Sequence, residues 1–193
     1  MALSSNTWPR NGFTLVSRTQ AVEGSIRNYA AQASTNQTIG IGDAVALLNG
    51  VVVPCTAGQD PGLKGWGIVL DVYTTANRPL TQQLNKCIVS GGVGRVDVCY
   101  DPNAEYVVRC ETSVGPSNIG KNVILVCSGQ NALLPNGSMS VNIPASASTN
   151  DLFHVVSLSP FGELTGKDTG GGAGNGVIVR WNNHMLKAPV AGQ

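Results

Sequence analysis

The feature that most constrains this chain is its punctuation. Short runs rich in β-branched residues are interrupted every few positions by Gly, Asn, Asp, Ser or Pro, and no window carries apolar residues at i, i+3, i+4 and i+7 with a cap at each end. The best helical candidate, 76–85, contains Pro79. A chain written this way has one economical way to satisfy its backbone, which is to pair short strands. The expected fold class is therefore all-β, a β-barrel or β-sandwich with an extended N-terminal arm.

Strands are expected near 43–48, 51–56, 66–73, 86–90, 93–100, 105–111, 122–127, 138–143, 152–158 and 176–181. Two hairpins stand out. Asn49-Gly50 between Ala44–Leu48 and Val51–Val53 supplies the two positive φ angles of a type I′ turn. Gly91-Gly92 between Ile88–Ser90 and Val93–Val96 offers the same with less specificity. Trp66–Tyr73 is apolar on both faces, so it is expected as a central strand covered on two sides.

Residues 1–38 differ from the rest. They lack alternation and are rich in Ser, Thr, Asn, Gln and Ala, with large apolar residues spaced through them at Trp8, Phe13, Leu15 and Val16. A solvated tail gains nothing from Trp or Phe, so the segment is expected to be an arm lying on a partner. The expected organisation is an arm over 1–38 and a β domain over 39–193, with a possible sub-boundary at the connector 144–150.

Composition removes several functions. Of 193 residues, 12 are Lys or Arg and 11 are Asp or Glu, a net charge of +1. That balance opposes nucleic-acid binding and attraction to anionic membranes. Charged residues are 12% against 42% hydrophobic, so intrinsic disorder is not expected either. Neither an apolar run of signal-peptide length nor the ~20 apolar residues of a membrane helix occurs, and a cytosol-like compartment is expected. The five cysteines lack a C-x-x-C pair. Two fall on apolar strand faces, with Tyr106 and Val108 for Cys110 and with Val123 and Leu125 for Cys127, and all five are expected as free thiols acting as small hydrophobes.

Candidate chemistry is thin. The loop 168–176 (DTGGGAGNG) runs into a strand and lacks the G-K-[ST] and following helix of a phosphate-binding loop. His154 and His184 come with no G-x-S-x-G turn, and no catalytic residue is assigned. Asp97, Asp101, Glu105 and Glu111 alternate with Arg95 and Arg109, a pattern expected to form cross-strand ion pairs rather than a metal site. No enzyme, cofactor or metal is expected.

An ordered series of short motifs adds more. Gly42-Asp43-Ala44-Val45 is followed by Asp101-Pro102-Asn103-Ala104-Glu105-Tyr106-Val107-Val108-Arg109, by Ile119-Gly120-Lys121-Asn122, and by Gly176-Val177-Ile178-Val179-Arg180-Trp181-Asn182-Asn183-His184. Across roughly 40–187 this order resembles small virion proteins of tailed bacteriophages that decorate or cement the head. The resemblance implies a structural protein on the capsid exterior, assembled in the host cytoplasm. Its partners would be the major capsid protein and further copies of itself, as a trimer in preference to a dimer. Trp8, Phe13, Leu15 and Val16 are then the expected capsid contacts. The rival reading is a virion-displayed carbohydrate-binding or host-adhesion β module, for which Trp66, Trp181 and Tyr73 are the available aromatics.

Overall fold

The computed structural model describes residues 12–17, 25–34, 36–55, 64–73, 87–127, 139–146, 148–159 and 176–187. Over these the chain is β, with one 3-10 turn at Pro116–Asn118. The strands are β1 (Thr14–Ser17), β2 (Ile26–Gln32), β3 (Ile39–Gly40), β4 (Ala44–Leu48), β5 (Val51–Pro54), β6 (Gly67–Tyr73), β7 (Cys87–Ile88), β8 (Val93–Cys99), β9 (Glu105–Arg109), β10 (Asn122–Cys127), β11 (Met139–Asn142), β12 (Phe153–Leu158) and β13 (Gly176–Trp181). Every strand expected between 43 and 181 is present. The loop 168–175 and the helical candidate 76–85 lie outside the described residues.

Five strands close a barrel in the order β2-β5-β4-β6-β8. Asn49 and Gly50 both take positive φ, 51° and 81°, and the β4–β5 hairpin registers Leu48 with Val51. β6 lies between β4 and β8 and is covered on both sides. Val69 and Val72 point into the barrel with Val45, Val52, Val96 and Val98, while Ile68 points out into a second core. Leu70 is only half-buried, beside a break in register between Val69 and Asp71. The other expected hairpin differs. Gly91 takes a positive φ of 71°, but β7 pairs with β3 and β8 pairs with β2 and β6, so the strands diverge after the turn.

The remaining long strands form a sheet in the order β1-β9-β13-β12-β10-β11. This sheet rolls toward closure. Just past β9, Cys110 bridges Val141 of β11, and the Glu111 amide donates to the Val141 carbonyl at 2.9 Å. β1 takes the rest of that edge, pairing Thr14 with Val107 and Leu15 with Tyr106, while Gly12 N–H donates to the Met139 carbonyl at 2.6 Å. β1 and β11 therefore lie end to end along one side of β9. Inside are Tyr106, Val108, Leu125, Met139, Phe153, Val155, Val179 and Trp181, and Ala44, Ala46, Ile68 and Cys99 from the barrel join the same core.

Two pieces of the expected arm pair into the β framework, and its residues 1–11, 18–24 and 35 lie outside the described residues. β1 seals the sheet, and β2 closes the barrel by seven antiparallel pairs with β8 and a parallel pairing of Ala31 with Val52. The reason is backbone bonding. β2 offers few apolar side chains, yet its amides and carbonyls complete ladders on both sides. The connector at 144–150 joins β11 and β12 of one sheet and is pinned to it. Asn122 Nδ2 donates to the Ser148 carbonyl at 3.0 Å, and Asn182 Nδ2 reaches the carbonyls of Thr149 and Asp151 at 3.2 and 3.0 Å.

Candidate interaction surface

Aromatic side chains from distant segments meet at one end of the barrel. Trp66, just before β6, is held by its amide donating to the Val45 carbonyl at 2.8 Å. Its indole lies nearly parallel to Tyr100, with centroids 5.4 Å and planes 5° apart, and Tyr29 of β2 meets it edge-on at 6.0 Å. The Arg27 guanidinium sits 5.7 Å from the centre of the Tyr100 ring. The three rings are half-buried, and Arg27 is exposed. Burial pushes the Tyr29 hydroxyl up, an effect the neighbouring Trp66 side chain opposes. Met185 and Leu186, which follow the bridge of His184 to Gly65, expose 45% and 59% of their surface.

The segment after β13 completes the patch. Gly65 and His184 form a parallel bridge, Gly65 N–H donates to the Asn183 carbonyl at 3.2 Å, and Met185 N–H donates to the Gly65 carbonyl at 3.0 Å. His184 is fully buried, stacked on Trp66 at 6.0 Å and edge-on to Trp181 at 5.4 Å. Its Nε2 meets the Trp66 carbonyl at 2.6 Å, and its Nδ1 accepts from Leu186 N–H at 3.1 Å. Burial holds its pKa down at about 4. Both ring nitrogens are thus engaged by backbone. His154 is half-buried with Nδ1 against Asn122 Oδ1 at 3.1 Å, and burial, then Lys187 and Arg180, lower its pKa. This surface combines the half-buried rings of Tyr29, Trp66 and Tyr100 with the exposed Met185 and Leu186 side chains and one guanidinium.

The acidic cluster finds one partner from the expected set, Arg109 for Glu111, and otherwise different ones. Glu105 pairs with Arg180 at 2.5 Å, across the β9–β13 ladder, and Arg109 meets Glu111 at 3.4 Å. Asp97 accepts from Asn28 at 2.8 Å and from the Tyr73 hydroxyl at 2.6 Å, which pushes the Tyr73 pKa up to about 12. Arg95 binds Asn28 instead of a carboxylate. Among the described residues no group of three or more His, Cys, Asp or Glu side chains converges. The five cysteines are free, four of them buried.

Four polar members of the motifs behind the resemblance, Asp43, Asp101, Asn122 and Asn182, sit at joints. The Asp43 carboxylate accepts from Gly40 N–H at 2.8 Å in the turn into β4, and Asp101 accepts from Asn103 N–H at 2.8 Å in the turn that carries the chain from barrel to sheet. Asn122 and Asn182 fasten the 148–151 loop, as described above. Of the expected contacts, Phe13 is buried inside the molecule, stacked on Phe153 at 4.6 Å and edge-on to Tyr106 at 6.3 Å. Leu15 packs half-buried against the same core, and Val16 is 42% exposed on β1. Trp8 lies outside the described residues. The patch itself escaped sequence reading because its members are scattered: 118 positions separate Trp66 from His184.

No protein-family model matches the chain, and no curated protein matches it significantly. Among the described residues no helix is long and apolar enough to cross a membrane.

Proposed function

We propose that this chain is a structural virion protein that binds the outside of a tailed-phage capsid and stabilises the shell. The carrying observation is the ordered motif series from Gly42 to His184, whose polar members Asp43, Asp101, Asn122 and Asn182 fasten the joints between elements in this fold. A likeness at the joints is a likeness of framework, which is what a structural protein retains. The partners of this reading are the major capsid protein and further copies of the chain, as a trimer in preference to a dimer. The mechanism is binding alone, with no cofactor, metal or chemical step. Many symmetry-related copies, each with a modest contact, hold a shell closed by avidity.

The contact set is narrower than the sequence suggested. Phe13 fills the chain's own core, so β1 offers Val16 outward, with Met185 and Leu186 as a second exposed apolar pair. Co-sedimentation with empty capsids of the encoding phage tests the proposal. The wild-type protein should co-sediment, and Val16→Asp should reduce occupancy at least tenfold, about 1.4 kcal/mol, with an unchanged melting temperature. Absence of wild-type binding would sink the reading, and unchanged occupancy of the variant would remove β1 from the contact. A glycan array run alongside separates the adhesin alternative. That alternative has lost Trp181, which is fully buried, and retains Trp66 and Tyr73.

A further inference from the structure

We infer that residues 184–187 form an acid-operated latch: protonation of His184 releases this segment from Gly65 and Trp66 and uncovers the Trp66–Tyr100 stack. The inference does not depend on the virion role.

The geometry fixes the working state of the ring. Leu186 N–H donates to Nδ1, so Nδ1 must be unprotonated and Nε2 must carry the hydrogen that it gives to the Trp66 carbonyl. This neutral tautomer satisfies both nitrogens at once. A second proton can only go to Nδ1. There it points a donor at a donor, breaking the Leu186 bond and placing a full charge where no water reaches.

The groups around the ring decide how hard that proton is to add. On its own segment Lys187 opposes the charge, and Lys187 Nζ is fixed nearby by donating to the Trp181 carbonyl at 3.1 Å. From the turn after β8 the Asp101 carboxylate favours the charge. The residue before β6 contributes the Trp66 carbonyl, which also favours it, and the end of β13 contributes the apolar face of Trp181. Desolvation outweighs the favourable pair, and the pKa falls from 6.5 to about 4.

The sign follows. A base whose folded pKa is depressed stabilises the closed latch fully above its unfolded value, near 6.5, and loses that contribution as pH falls toward 4. The latch is the first part to feel the loss. Among the described residues it is tied to the barrel, apart from His184, by the Gly65 bridge, whereas β13 before it and β6 beside it each pair on both sides. Opening therefore lifts 184–187 off the barrel and dissolves neither sheet, because Trp181 stays packed against Gly65 and the Asn182 and Asn183 amides stay on the Leu152 carbonyl. What it exposes is the flat aromatic surface now covered by the His184 ring.

Tryptophan fluorescence with acrylamide quenching, followed from pH 7.5 to 3.5 on the full chain, tests this. The wild type should show a reversible transition between pH 6.5 and 4, with quenching rising at least twofold while the far-UV circular dichroism stays constant. His184→Gln, which can still donate to the Trp66 carbonyl but cannot titrate, should lack the transition, and Trp66→Phe should lose most of the signal. A flat wild-type response overturns the latch, as does a transition that persists in His184→Gln. A fluorescence change coincident with loss of circular dichroism also overturns it, because that is global unfolding. Should the Gln variant fail to fold, NMR titration of the wild-type His184 ring decides, and a midpoint above pH 6 rejects the proposal.

Discussion

At the residue scale the tightest demand falls on Gly65. A Cβ built there would lie 2.0 Å from Trp181 Cζ3 and 2.7 Å from two more atoms of the same ring. Trp181 cannot retreat, since it is fully buried and packs on Phe153 with centroids 4.3 Å apart. Gly65 is therefore required for close approach. Gly65→Ala should destabilise by about 3 kcal/mol, the upper end of overpacking costs, and urea melts would read this as a lower midpoint at constant slope. A loss under ~1 kcal/mol would mean that the Trp181 ring can shift, contrary to the packing seen here.

At the scale of elements the decisive strand is β2. Deleting residues 1–38 removes β1 and β2 together, and the barrel then loses its β2–β8 and β2–β5 pairings. Were this region only an arm, the remaining domain would melt within a few degrees of the whole chain. The structure leads to the opposite expectation: the truncated protein should show no cooperative thermal transition by circular dichroism. A sharp transition near the full-length value would show that the barrel does not need β2.

The same strand explains what could be read from sequence and what could not. Among the described residues from 43 to 181 the β-branched runs announce every strand, because those strands bury one or both faces and the burial is written in Val, Ile and Leu. β2 buries only Ala31 fully, and its Ile26, Arg27, Ala30 and Gln32 are exposed, so no alternation marks it. Its place is set by hydrogen bonding, which any residue but proline can supply. The aromatic patch fared likewise. Trp66 was noticeable, but Tyr29, Tyr100 and His184 acquire meaning only once β2, β8 and β13 bring them to it.

The whole molecule behaves as one packed body with two centres. The core of the six-stranded sheet contains Ala44, Ala46, Ile68 and Cys99, which are also strand residues of the barrel wall. Each barrel strand involved presents its other face to the interior formed by Val45, Val69 and Val98. Neither centre is complete alone, because losing one strips an apolar face from the other. Chemical denaturation should therefore give a single transition, coincident by fluorescence and far-UV circular dichroism. Two resolved steps would separate the barrel from the sheet and contradict the shared core.

The end-to-end arrangement of β1 and β11 along β9 bears on life in a crowd. Bare sheet margins recruit neighbours, and copies held side by side at high local concentration are the situation in which such recruitment runs into fibres. Here the margin of β9 is divided between two short strands of the same chain, with the Phe13 ring set in the core like a stopper at the end of one of them. Strand addition at β9 would first have to pull that stopper. The four residues of β1 thus serve as insulation for β9, the strand whose inner face carries Tyr106 and Val108.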